Sequence, residues 1–473
     1  MQWPNFCGPA YQAISISASY DRCDNLIPEF IPNKKRWMLY KRPGLKSRFS
    51  FGAGAAIRAL LEFNGRCFAV VGSSVYELFS DYTSTLLGAV VDDGRMATLD
   101  ANGEQLFIVS GLNGYIYNLT SGVFSQIGGA FPGATCGGFL DNYFIIVEPV
   151  SRKVYISAVT DGLSWNALDF GVKESSAENI RTMIIDHNDI FLFGKKGEVW
   201  YNSGDVDFPF QRRTDAPIEQ GSAAEFAASR LDNTIFFLGS DERGQGVAWR
   251  MAGYTPVRIS NHAVEYQWSQ YGRIDDAVSW TYQEAGHAFW VVTFPSAEKT
   301  WVYDSSMGDS SGWFQISYWD SALGVSTRHR GQCHCFAFGK HLVGDYDNGK
   351  IYEQSLSLFD DDGSAIRWVR TPPYLENGNT WVEVSFLEIL LEAGVGLQVG
   401  QGSSPQLMIR FSKDGGHTWG SERYMTMGKQ GEFSMRAYIN RCVQGRKPTL
   451  ELSGTDPVKV VLLDCFVDVS GEA

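Results

Sequence analysis

The sequence predicts an all-β protein: a β-propeller followed by a C-terminal β-sandwich. Three observations carry that expectation. Aromatic residues make up 14% of the chain and there are 50 glycines among 473 residues, a composition that favours short strands joined by tight turns. A hairpin unit recurs through the first three quarters of the chain. After about residue 358 the pattern changes to longer strands of strict two-residue alternation.

The repeat is a buried-type strand, a turn, and a strand centred on Tyr or Trp. The aromatic positions are Tyr76, Tyr117, Tyr155, Trp200, Trp249, Tyr303 and Tyr352, spaced 41, 38, 45, 49, 54 and 49 residues apart. The apolar strands before them include Phe68 to Val71, Leu106 to Val109, Ile190 to Phe193 and Ile235 to Leu238. Asn113-Gly114 and Asn348-Gly349 read as hairpin turns with positive φ, and Lys196-Gly197 and Gly244-Gln245-Gly246 as longer ones. Units of this length with three or four strands are propeller blades, because one such sheet cannot cover its own faces and radial stacking does. Seven blades are counted, or six if one hairpin is a decoration. The recurrent aromatic is read as blade-to-blade packing.

The expected domains are an N-terminal arm with first strands over 1–56, a propeller over 57–357 and a sandwich over 358–473. Phe359-Asp360-Asp361-Asp362-Gly363 reads as an acidic linker between the last two. The sandwich strands are expected at 381–387, 406–411 and 458–463, where apolar and polar residues alternate.

Charge and composition exclude several functions. Forty Lys and Arg against 53 Asp and Glu give a net charge of −13, a poor grip for phosphates and a suitable wall for DNA that must pass without sticking. Lys34, Lys35 and Arg36 form the one short basic cluster and read as a solvated loop. The opening Met1-Gln2-Trp3-Pro4-Asn5 resembles no signal peptide, and no apolar run reaches membrane-spanning length. The eight scattered cysteines are expected as free thiols in cores.

Candidate chemistry is sparse. Ser412-Lys413-Asp414-Gly415-Gly416-His417-Thr418-Trp419 fits the Asp-box pattern Ser-x-Asp-x-Gly-x-x-Trp, a self-supporting turn familiar from sialidases. A sialidase's arginine triad and Arg-Ile-Pro element have no counterpart here. His329, Cys333, His334, Cys335 and His341 lie close together, but on a strand Cys333 and Cys335 face away from His334, which argues against zinc. Asp345-Tyr346-Asp347-Asn348-Gly349 superficially matches a calcium loop and is better explained as a hairpin turn. No residue is nominated as catalytic, cofactor-binding or metal-binding, and no cofactor is expected.

Several stretches resemble the packaged-DNA stabilisation (tail accessory, or tail hub) proteins of short-tailed bacteriophages. They are Arg22-Cys23-Asp24-Asn25-Leu26-Ile27-Pro28-Glu29, Arg42-Pro43-Gly44-Leu45, Glu198 to Gly204, Asp207-Phe208-Pro209-Phe210, Leu231-Asp232-Asn233-Thr234 and Arg243 to Val247. Gly253 to Pro256, Gly286 to Phe289, Lys340 to Asp345, Glu392 to Gly396 and Thr455-Asp456-Pro457-Val458-Lys459 continue the series in the same order. The resemblance implies a non-enzymatic virion tail protein made in the host bacterial cytoplasm. It implies a ring of identical subunits, a homohexamer, attached below the portal and adaptor. That ring closes the DNA channel, stabilises the packaged genome, touches DNA only transiently, and carries the tail needle or distal tail proteins and tailspike or fibre. The alternative reading is a glycan-binding or sialidase-like propeller, motivated by the Asp box and the aromatic content.

Overall fold

The computed structural model describes residues 1–206, 208–308, 312–378 and 380–471. Among these, the strands of the repeat region form seven four-stranded antiparallel blades. Six are continuous in sequence, spanning 57–89, 98–126, 137–172, 182–212, 228–258 and 278–316. The seventh takes three strands from 331–355 and its outermost strand, Gly44–Ser50, from near the N-terminus. The disc is thus closed by pairing Gly44 with Ser355 and Ser50 with Lys350.

All seven recurrent aromatics lie on the third strand of their blades. Six sit in apolar clusters that join one blade to its neighbour. Tyr117 packs with Phe68 and Val70 of the preceding blade, Tyr155 with Phe107 and Ile116, and Tyr303 with Phe236. Wedge-to-wedge burial of this kind is the main apolar stabilisation of the disc. Tyr352 differs: its hydroxyl is buried, donates to Asp345 Oδ2 at 2.9 Å and accepts from Asn348 Nδ2 at 2.7 Å. The last blade therefore seats its aromatic in a polar network with Arg330, whose guanidinium grips Asp345 at 2.7 and 2.8 Å.

Asn348-Gly349 lies in the connection between the second and third strands of blade seven as expected, but Asn113-Gly114 falls differently. Asn113-Gly114 opens the third strand of its blade, and the turn itself is Gly111-Leu112, with φ of +58° and +65°. Gly114 is required for packing instead, since a Cβ there would lie 2.7 Å from both Ile127 and Phe131. Six other two-residue turns with both φ positive join the first and second strands of blades one and three to seven: Asn64-Gly65, Asp141-Asn142, His187-Asn188, Asp232-Asn233, Ala285-Gly286 and Phe338-Gly339. That geometry matches the twist of paired strands, and Asn, Asp and Gly tolerate it best. One α-helix occurs among the described residues, His262–Ser269, in the connection between blades five and six. Asn261 caps it by accepting from the Val264 amide, and Trp268 is buried beneath it.

The sandwich packs two sheets. One contains Leu26–Ile31, Arg36–Lys41, Val461–Gly471, Val382–Leu391 and Ala437–Gly445 in that spatial order. The other contains Trp368–Thr371, Thr449–Gly454, Gln406–Ser412 and Arg423–Thr426. The last long strand begins at Val461, not Val458; Val458 and Val460 are buried on the approach to it. The second sheet does not stop at the sandwich. Trp368–Thr371 pairs with Tyr20–Asp24, and Tyr20–Asp24 pairs in parallel with Trp313–Ile316, the outer strand of blade six, through Asp24 and Gln315. A single ten-stranded sheet therefore runs from the propeller wall into the sandwich. The 359–363 segment is not a linker: Asp360–Asp361 is a short strand that pairs with Leu45 of blade seven, and Asp361 is buried.

Candidate functional site

Charged side chains inside an apolar protein must be paired and fully hydrogen-bonded, so they mark where the chain has committed to a particular arrangement. Arg42 is such a residue. It leaves the sandwich sheet one residue after Arg36–Lys41 and enters the propeller one residue before Pro43-Gly44. Its Nη1 and Nη2 donate to Asp361 Oδ1 and Oδ2 at 3.0 and 2.6 Å, a forked geometry that only arginine supplies. Its Nε donates to Asn25 Oδ1 at 2.8 Å, and the remaining donors reach the Pro43 and Ser317 carbonyls at 2.8 and 2.9 Å. Asn25, buried and at φ +56°, also bonds Ser317 and the Arg367 carbonyl. Gly44 lies so close to the 358–360 segment that a Cβ would meet the Asp360 carbonyl at 2.4 Å. Lys41 donates to the Phe359 and Asp456 carbonyls, and burial pushes its ammonium down to about 8.

Three further arginines extend this junction. Arg370, in the sandwich strand next to Tyr20–Asp24, donates to the Asn5, Phe6, Gly8 and Arg22 carbonyls and pins the N-terminal arm. Glu451 is buried between Arg22 at 3.1 Å and Arg410 at 2.6 Å. The sequence marks Arg370 as a lone charge in Trp368-Val369-Arg370-Thr371, a signal the repeat analysis passes over. Arg22 to Glu29, Arg42 to Leu45 and Thr455 to Lys459, three of the stretches that carry the sequence resemblance, converge on this junction. Leu231 to Thr234 instead forms a blade turn, and Asp207 lies outside the described residues.

The propeller axis holds a cavity of about 440 Å³ lined by the inner strands. At one mouth the Arg95 guanidinium, on the connection between blades one and two, reaches Glu225 on the connection between blades four and five at 3.2 Å. The pair ties non-adjacent blades across the opening. Arg58, buried beneath it, holds the loop by donating to the Arg95 carbonyl at 2.6 Å and to Ser110 Oγ at 2.8 Å. Burial raises the Glu225 carboxyl, and Arg95 opposes that shift. An axis crossed at its mouth by an ion pair suits a rigid hub rather than a passage.

The motifs singled out from sequence fall into structural places. Asp414 accepts from the Thr418 amide at 2.8 Å and the Thr418 hydroxyl and Ser412 Oγ at 2.7 Å, and these bonds overcome its partial burial and hold the carboxyl at about 2. Gly415 and Gly416 take φ of +72° and +101°, and Arg410 lies over Trp419 at 5.0 Å. The Asp box is thus a hairpin end of the sandwich with its carboxylate fully occupied. Cys333 and Cys335 point into the cluster shared by blades seven and one, while His334 stacks on Trp280 and bonds His341 at 3.0 Å. Burial, reinforced by His341, pushes the His334 imidazole down to about 3, and burial drives His329 well down too. Asp345 closes its own loop by accepting from the Asp347 and Asn348 amides. Lys34 and Lys35 are exposed at a sandwich hairpin, and Arg36 faces Asp464 at 3.6 Å. All eight cysteines are free, and seven are buried. No helix among the described residues is long and apolar enough to cross a membrane.

Two family models match the chain in the order of its two bodies. Residues 24–357 match the β-propeller of bacteriophage P22 Gp10, and residues 367–470 match the β-sandwich of the same protein. The chain belongs to the bacteriophage P22 Gp10 family. It is accordingly a phage stabilisation protein of the Gp10 type, and the Gp10 propeller and sandwich correspond to the disc and the two packed sheets described above. No curated protein sequence matches it significantly. Among solved structures it is similar to the N-terminal domain of Nup159, at 11% identity over 70% of this chain and 98% of that one, with a TM-score of 0.41. It is also similar to BamB from Moraxella catarrhalis, at 9% identity over 75% of this chain and 95% of that one, with a TM-score of 0.40. At these scores the likenesses add nothing to the Gp10 assignment.

Proposed function

We propose that this Gp10-family protein is a non-enzymatic subunit of a phage tail ring, a homohexamer that attaches below the portal and adaptor. It closes the DNA channel, keeps the packaged genome in place and carries the needle or other distal tail parts. The single observation that supports this reading is the continuous sheet from blade six into the sandwich, locked by Arg42 and Asp361. A subunit under the pressure of packaged DNA must transmit force between its two ends without a hinge. A shared sheet, with a buried fork at its seam, does so. The crossed axis supports a DNA path beside the propeller, formed between subunits. The net charge of −13 suits a wall that DNA slides past, since few cations are available to neutralise phosphates.

The test is assembly. The purified protein is mixed with the portal–adaptor complex of its phage and the product sized by light scattering and imaged in projection. Six copies on the adaptor, with a C-terminal label on the tail axis side, support the proposal. A protein that stays monomeric and unbound, or a label found off the tail, defeats it.

A further inference from the structure

The propeller is closed without a covalent bond. Its last blade borrows Gly44–Ser50, and the seam between blades seven and one is otherwise held by the apolar cluster around Ile57, Cys67, Val71, Cys335 and Leu342. Within that cluster two thiols from opposite sides of the seam touch. Cys67, on the second strand of blade one, and Cys335, on the inner strand of blade seven, place their sulfurs 3.6 Å apart across a sequence separation of 268 residues. Ordinary core packing would put each thiol against aliphatic groups; here they meet each other.

We propose that Cys67 and Cys335 are a redox clasp, converted by hydrogen peroxide into a disulfide that joins the first and last blades covalently. The two positions are not equivalent, and their difference orders the chemistry. Cys335 retains 8% exposure and Cys67 none. Cys335 is therefore the sulfur that meets the oxidant. Its thiolate attacks one peroxide oxygen, the O–O bond breaks, water leaves, and a sulfenic acid forms. Cys67 then attacks that sulfur, the S–S bond forms, the S–O bond breaks, and a second water leaves. Two thiols and one peroxide thus give one disulfide and two waters. The bond to Cys67, together with burial, raises the Cys335 thiol far above its usual range, so the first step is slow in the closed disc. The clasp therefore sets only on prolonged exposure to oxidant, as a particle meets outside a reducing cell. Closing so long a loop restricts the unfolded chain strongly. This inference does not depend on the tail-ring reading.

The test uses the full-length protein, folded and reductant-free, treated with hydrogen peroxide, alkylated in denaturant and digested without reduction. A linked pair of peptides containing Cys67 and Cys335, lighter by about two hydrogens than the sum of the free peptides, is the expected product. The Tm should rise by about 3 °C or more and return with dithiothreitol. Cys67→Ala should accumulate a Cys335 sulfenic acid that a dimedone probe traps, and neither Cys67→Ala nor Cys335→Ala should show the Tm rise. Recovery of Cys67 as free alkylated thiol after the partly exposed Cys442 has been fully oxidised overturns the proposal. So does Cys335 found only as sulfinic acid. The wild-type digest decides the matter even if a variant fails to fold.

Discussion

Arg42 concentrates more of the architecture than any other single side chain described here. Both members of the Arg42–Asp361 pair are 2% exposed, so removing one leaves the other charged and without solvent. Arg42→Ala should cost ~3–5 kcal/mol, measured by chemical denaturation. Asp361→Asn, which keeps the shape and loses the charge, should also destabilise, and the double variant should cost less than the sum of the two. His287 gives the pH dependence. Its Nδ1 lies 2.5 Å from the fully buried Asp304 and its Nε2 3.7 Å from Glu29 of the sandwich, with Tyr40, Glu284 and Ser306 around it. Hydrogen bonding to Asp304 raises the imidazole above its ordinary 6.5. The stabilisation is therefore fully present below about pH 6.5 and fades as pH climbs through the higher folded-state value. His287→Asn should flatten the fall in Tm between neutral and mildly alkaline pH; an unchanged slope would remove His287 as its source. At this scale the sequence was partly legible. The Arg42-Pro43-Gly44 run stands out by resemblance, but its partner Asp361 is 319 positions away, in a run whose composition reads as linker.

At the scale of elements, blade packing and turn chemistry obey different rules. Tyr303 is 1% exposed between Phe236 and Trp313, so Tyr303→Ala should cost ~3–5 kcal/mol by thermal or chemical unfolding. Tyr352→Phe tests the exception: losing a hydroxyl that serves Asp345 and Asn348 should cost ~1–3 kcal/mol by chemical unfolding. The recurrence of these aromatics was readable because each blade meets the same packing problem. The turns were less so. Asn-Gly at 113–114 has the right residues in the wrong place by two positions, since close approach of Ile127 and Phe131 also selects glycine. The real hairpin signal, Asn or Asp beside Asn or Gly, stands at 64–65, 141–142 and 232–233, one strand earlier in those blades.

For the whole molecule, the continuous sheet makes propeller and sandwich interdependent. Calorimetry should show one dominant transition for the intact chain, and a fragment lacking residues 1–50 should lose it, because both the closing strand and the bridging strand Tyr20–Asp24 are removed. Two independent transitions that survive the truncation would contradict the shared sheet. The sequence by itself determined what depends on neighbours in the chain: all-β content, the seven repeated hairpins, the alternating sandwich strands and the acidic charge, since periodicity and turn residues are local. Only the tertiary structure decided that Gly44–Ser50 closes blade seven, that Tyr20–Asp24 fuses blade six to the sandwich, that Arg370 pins the N-terminal arm, and that Arg42 and Asp361 are buried partners. Each of those contacts joins segments some 300 residues apart or more, and a pairing across such a distance leaves no period in the chain for a reader to find.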